Sequence, residues 1–150
     1  MTVSEARRAA RVILLDRDER ILLLFGRDPS LADDPGWWFT PGGGVEGLES
    51  LRETAIRETN EETGLLLESV NGPVHERDTT FTFEGAVIHQ VETYFTASVT
   101  AFEINRGGWT ELEQRSMSGA RWWSLDELVA TNETVYPENL VDVLRRVMRR

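Results

Sequence analysis

Cysteine and lysine are both absent from this 150-residue chain: all 16 basic residues are arginine, and there are two histidines, His75 and His89. Without cysteine there is no disulfide framework, thiol nucleophile, iron–sulfur cluster or cysteine zinc site. Without lysine there is no Schiff-base chemistry and no P-loop lysine. Two histidines are too few for a three-histidine zinc site, and neither lies near a nucleophile-elbow pattern that would complete a Ser-His-Asp triad. Both read as structural or exposed. Long hydrophobic runs are missing as well. Val12 to Leu15 is apolar, but Asp16 ends the run. A signal-peptide core needs about 7 such residues and a membrane span about 18. The expectation is a soluble, cytoplasmic protein with no membrane partner.

Carboxylate is what the chain has in plenty. The 26 acidic residues against 16 basic ones leave a net charge of −10. Such a chain is a poor binder of nucleic-acid backbone, which needs clustered positive charge, so no nucleic-acid polymer is expected as partner. If the protein handles phosphates, divalent cations should mediate the contact. The length fits one domain over residues 1–150, which hides roughly 70% of its unfolded surface.

The hydrophobic pattern mixes strands and helices. Val12–Leu15 and Ile21–Phe25 read as buried strands joined by a polar turn. Arg27–Gly36 is a loop. Trp37-Trp38-Phe39 is a short aromatic strand leading into Pro41-Gly42-Gly43-Gly44, where three glycines suggest a tight turn rather than a regular element. Ser50–Thr63 is the clearest helix, with Gly64 placed for a left-handed cap. Phe81–Phe83 and Ala86–Val99 read as antiparallel strands around a Glu84-Gly85 turn. Asn105–Gly119 is polar and broken by glycines. Arg121–Trp123 is a last strand, Ser124–Glu127 is a capping-box match opening a second helix, and Pro137 can start a third with Leu140, Val141, Leu144, Val147 and Met148 as its apolar stripe.

Glu58, Glu61 and Glu62 share one helix face within about 100°. Like charges so placed repel, and a hard cation between them reverses the sign, which suits magnesium or manganese. Leu48, Leu51, Ala55, Ile56 and Thr59 form the expected packing stripe on a neighbouring arc, so the glutamates should border the core. Taken alone, three glutamates or three glycines signify only a solvated face and a turn. Together they make a long pattern: Gly43, five residues, Glu49, seven residues, then Arg57-Glu58-Thr59-x-Glu61-Glu62-x-Gly64-Leu65.

This pattern, over residues 43–65, resembles the Nudix box, the signature of the Nudix hydrolases. Trp38-x-x-Pro41-Gly42-Gly43 is similar to the strand and turn that lead into the box. Two positions depart from the family pattern: Thr59 stands where a bulky aliphatic is preferred, and Gly47-Leu48-Glu49 replaces a glycine directly before the glutamate. The resemblance implies an α+β fold, a Nudix-type α/β/α sandwich with a mixed β-sheet. It implies hydrolysis of the diphosphate bond in a nucleoside diphosphate linked to another moiety, with a nucleoside triphosphate as one option. The implied cofactor is Mg2+, with Mn2+ as an alternative. The partner is a small nucleotide-type molecule, and a homodimer is the suggested assembly.

By the same resemblance Gly42 (through its carbonyl), Glu58, Glu61 and Glu62 hold the metal. Arg57, Glu58 and Glu61 form the catalytic set, Arg57 orienting the glutamates and pairing with Glu49. Gly43, Glu49 and Gly64 are structural in the motif. The general base is Glu58 or a glutamate from elsewhere, with Glu92, Glu111 and Glu113 as candidates. Arg27 and Trp38 are candidate substrate contacts, and Trp37, Phe81 and Phe83 could add a stacking wall. The alternative is a non-catalytic Nudix-fold sensor of a nucleotide or nucleotide sugar.

Overall fold

The computed structural model describes residues 6–100, 102 and 106–148. The chain order is β1 (Arg7–Leu15), β2 (Ile21–Gly26), β3 (Trp37–Phe39), β4 (Gly42–Gly44), α1 (Leu51–Thr63), β5 (Asn71–Phe83), β6 (Ala86–Ser98), a 3-10 turn (Arg106–Gly108), α2 (Glu111–Ser116), β7 (Met117–Trp123), α3 (Leu125–Ala130), β8 (Val135–Tyr136) and α4 (Leu140–Met148). The strands form one mixed, curled sheet in the order β5-β6-β1-β2-β3-β8, with β4 on β1 and β7 on β2. β1 runs parallel to β6 and β3 parallel to β8; the other pairs are antiparallel.

The aliphatic run of β1 explains the layering. Successive side chains of a strand point to opposite faces. Ile13 and Leu15 join Ile21, Leu23, Trp123, Leu140, Val143 and Leu144 in a core capped by α3 and α4. Ala10, Val12 and Leu14 join Leu22, Ala55, Leu67 and Phe95 in a core capped by α1. Both faces of the sheet are therefore covered, and the architecture is an α+β sandwich. Among the described residues no helix is long and apolar enough to cross a membrane.

Several expectations change in detail. Gly42–Gly44 is a strand, not a turn: Gly42, Gly43 and Gly44 pair with Arg11, Ala10 and Ala9 of β1. A strand without side chains leaves no hydrophobic signal. Leu48 is fully exposed and takes no part in the packing stripe, because it precedes the Ser50 N-cap and helical spacing does not reach it. β5 begins ten residues before Phe81. As the edge strand of the sheet it is mostly polar, and Pro73 sits at an irregularity between Asn71 and His75, so only its apolar end is visible as a strand. β7 starts at Met117, ahead of Arg121. Within the polar stretch after residue 105, α2 forms behind a capping box of Thr110 and Glu113; Asn105 itself lies outside the described residues.

Candidate active site

The α1 helix is built to be placed firmly. Ser50 and Glu53 make a complete capping box at its start, and Gly64 ends it at φ 81°, a left-handed conformation that glycine adopts without strain. Its inner face lies against β4. A Cβ added to Gly43 would sit 2.5 Å from the Glu58 carboxyl carbon, so only glycine lets the carboxylate lie this close to the strand. The Gly42 amide donates a 2.7 Å hydrogen bond to Glu62 Oε1. The Trp109 indole donates to the Glu62 carbonyl at 2.7 Å, which ties the segment ahead of α2 to the end of α1.

Arg57 is the centre of the acidic face. Nε and Nη2 bind Glu49 at 2.6 and 2.9 Å, Nη1 reaches Glu58 at 2.9 Å and Glu61 at 3.2 Å, and Nη2 also reaches the Gly44 carbonyl at 3.0 Å. The hydrogen bond from Arg57, with help from the Glu46 backbone amide, holds the Glu49 carboxyl down at about 2. Glu58 behaves differently: burial pushes its carboxyl up, against the pull of Arg57. Glu62 is pushed well up, first by burial and then by the charge of Glu58.

Glu58, Glu62 and Glu113 offer carboxylate oxygens that all lie within 4.8 Å of one another. Three hard oxygen donors, two of them carrying a charge that burial disfavours, suit a divalent cation. The donor set fits magnesium or manganese. Glu61 lies outside this trio; it is partly exposed and tied to Arg57. Glu113 comes from α2 and also caps that helix, accepting from the Thr110 amide at 2.8 Å.

The trio opens into a cavity of about 560 Å3, lined on its acidic side also by Glu46 and Glu61. Arg7, Arg11, Arg27 and Arg77 also line it, as do Trp37, Phe39, Phe81 and Phe83. Trp38 does not line it. Strand alternation turns its ring the other way, onto Trp123 (centroids 5.1 Å apart) and Phe25 (4.8 Å), so Trp37 and not Trp38 is the tryptophan in the cavity.

Two of the candidate bases, Glu111 and Glu92, lie outside the trio. Glu111 is exposed and off the cavity lining. Glu92 is buried and accepts from Arg11 Nε, Arg77 Nη1, Gln90 Nε2 and the Tyr94 hydroxyl. These four bonds fill the acceptor capacity of a carboxylate. Burial alone would raise its pKa, but Arg11 and Arg77 hold it at about 2. His75 packs on Tyr94 at 5.4 Å and His89 pairs with Asp78 at 2.7 Å, both as parts of the hairpin.

A sequence model of the NUDIX domain matches residues 5–146. The chain belongs to the Nudix family. An uncharacterized Nudix hydrolase of Bacillus subtilis, YvcI, is 43% identical over 54 residues, which are 36% of this chain and 30% of that protein. The chain thus aligns with under a third of this curated relative's length. Among solved structures, the MutT protein of Methanosarcina mazei superposes with a TM-score of 0.71 at 20% identity, covering 97% of this chain and 95% of the other. The NUDIX domain of Shewanella oneidensis NrtR, solved with ADP-ribose, superposes at 0.67 with 18% identity, covering 97% and 90%. At these identities the likeness concerns the Nudix fold.

Sequence reasoning had no signal for Arg11, Arg77 or Gln90, which converge only because β1, β5 and β6 lie side by side. The Thr110–Glu113 capping box was a readable sign that Glu113 lies in the first turn of a helix.

Proposed function

We propose that this Nudix protein is a Mg2+-dependent diphosphohydrolase acting on a nucleoside diphosphate linked to another moiety. The observation that carries the proposal is the trio Glu58, Glu62 and Glu113 in a cavity that arginines and aromatic rings also line. Glu58, Glu62 and Glu113 would hold the cation, with Glu61 and the Gly42 carbonyl as supplementary ligands. A divalent ion there neutralises diphosphate charge and makes a nearby water more acidic. The chain's own groups supply the rest. Arg57 fixes the glutamate rotamers through its bonds to Glu49, Glu58 and Glu61. Glu58 or Glu113 accepts the proton of the attacking water. Arg27 and Arg7 face the phosphates. Trp37, Phe81 and Phe83 offer flat apolar surface to a base or other ring.

The test is turnover of nucleoside triphosphates, dinucleoside polyphosphates, ADP-ribose and nucleotide sugars with Mg2+, with Mn2+ and with EDTA. The reading expects hydrolysis of at least one compound that EDTA abolishes and that Glu62→Gln lowers at least about 100-fold, the scale for losing one group that stabilises transition-state charge. Tight binding of a nucleotide with no turnover in either metal would instead support a sensor.

A further inference from the structure

Arg11, Glu92, Arg77 and Glu138 form a built ladder of alternating charge along the cavity, and it ends on the solvent-facing Glu138. Arg77 on β5 stands directly across from Glu92 on β6, and Arg11 approaches Glu92 from β1 on the other flank. Glu92 takes Arg11 Nε at 2.7 Å and Arg77 Nη1 at 3.0 Å. The Arg11 Nη1 atom also donates to the Thr40 carbonyl at 2.9 Å. Neither arginine can swing away without stranding a buried carboxylate, so both are fixed in place.

The outer fork of Arg77 has a different partner. Its Nε and Nη2 bind the two carboxylate oxygens of Glu138 at 3.2 and 2.9 Å. The guanidinium carbon lies 5.0 Å from the Tyr136 ring centre, which adds a flat support. The side chain of Arg77 is 16% exposed and that of Glu138 is 66% exposed. Glu138 sits between β8 and α4, and both Tyr136 and Glu138 line the cavity. A planar donor fork, braced from behind and covered in front by a solvent-facing carboxylate, has the geometry that binds a phosphate group in two-point fashion. Exposed ion pairs are weak, so the carboxylate is easily displaced. With Glu138 in place the two arginines and two glutamates balance; when Glu138 moves off, one positive charge is left over.

We propose that Arg77, braced by Glu92 and Tyr136 beside Arg11, is a second phosphate-binding point in the cleft, and that Glu138 is a built-in competitor for it. The proposal rests on the reading of the cleft as a diphosphate site. A ligand with a phosphate beyond the reacting diphosphate displaces Glu138 and gains from the exchange. A ligand whose distal part is uncharged leaves Glu138 on Arg77.

The probe is inorganic tripolyphosphate, its affinity measured by calorimetry in EDTA so that metal binding at the carboxylate trio does not enter. Glu138→Gln is expected to bind it about two- to five-fold more tightly than the unmodified protein, the range that an exposed ion pair spans. In an Arg77→Lys background, which keeps the charge and loses the fork, the Glu138→Gln gain should vanish. Equal affinity in the unmodified protein and Glu138→Gln, the same gain with and without the Arg77 fork, or no binding by any variant would each overturn the proposal. Because no turnover is measured, a failure here is distinct from a failure of the hydrolase reading.

Discussion

Glu62 is where folding and chemistry pull in opposite directions. Its carboxylate is buried, accepts the Gly42 amide and faces Glu58. The folded protein favours its protonated form, first through burial and then through that neighbour. A carboxyl raised in the folded state costs nothing at pH values below its usual range. The cost grows as pH rises through the raised value. In metal-free buffer at neutral pH, Glu62→Gln should therefore stabilise the protein by about 1 kcal/mol, or about 2–4 °C in Tm for a chain of this length. Near pH 4 the advantage should shrink. Melting curves in EDTA at the two pH values check this, and a variant that melts lower than the unmodified protein at neutral pH would contradict it. Glu92 is the converse case. It is as deeply buried, but two arginines, an amide and a hydroxyl compensate its charge, and its pKa falls. Neighbours, more than depth, separate a carboxyl whose pKa rises from one whose pKa falls.

At the scale of elements, the site is the seam between α1, β4 and α2. Gly43 governs the approach of the first two. In Gly43→Ala the added methyl meets the flexible end of Glu58, which can move aside. Stability should change little while the carboxylate is displaced. Turnover should fall about 100-fold, the scale of a 1 Å misplacement in a catalytic constellation. Parallel melting and kinetic measurements test this; equal losses in both would point to a folding defect instead. What the sequence made legible here follows from side-chain chemistry. The cap glycine Gly64 marked the end of α1 and the capping box at Ser124 marked α3, because those signals are local. The aliphatic runs marked β1 and β2. β4 was illegible because it is made of glycine. β5 was hidden ahead of Phe81 because an edge strand with polar residues on both sides carries no hydrophobic period. The Trp37–Trp38 pair could not be told apart until β2 and β8 fixed which ring faces the cavity.

The hairpin of β5 and β6 also depends on a distant loop. Buried Asp28 accepts the Glu84 amide at 2.8 Å and the Ser30 amide at 2.9 Å, which joins the segment after β2 to the hairpin tip beside Phe83. Trp37 and Phe83 meet edge to face at 6.5 Å across that junction. Asp28→Ala removes the shared acceptor and should loosen this aromatic wall. Amide hydrogen exchange is expected to rise at Glu84 and Ser30 and to stay unchanged in α1; protection that is unaltered at Glu84 would remove Asp28 from this role.

For the whole molecule, the sheet with helices on both faces brings segments far apart in sequence to one cleft. It is lined by glutamates from α1 and α2 and by arginines from β1 and β5. The net charge of −10 would repel a polyphosphate at long range. Under the proposed function the arginines lining the cavity, and a cation held by the carboxylate trio, would offset that repulsion. The proposed hydrolysis depends on a cation held by Glu58, Glu62 and Glu113. Its most direct test is a titration with Mn2+ followed by the electron paramagnetic resonance signal of the free ion. The unmodified protein should remove Mn2+ from solution, Glu113→Gln should weaken binding, and Glu58→Gln combined with Glu62→Gln should abolish it. Undiminished Mn2+ uptake by that double variant would place the ion elsewhere and contradict the assignment.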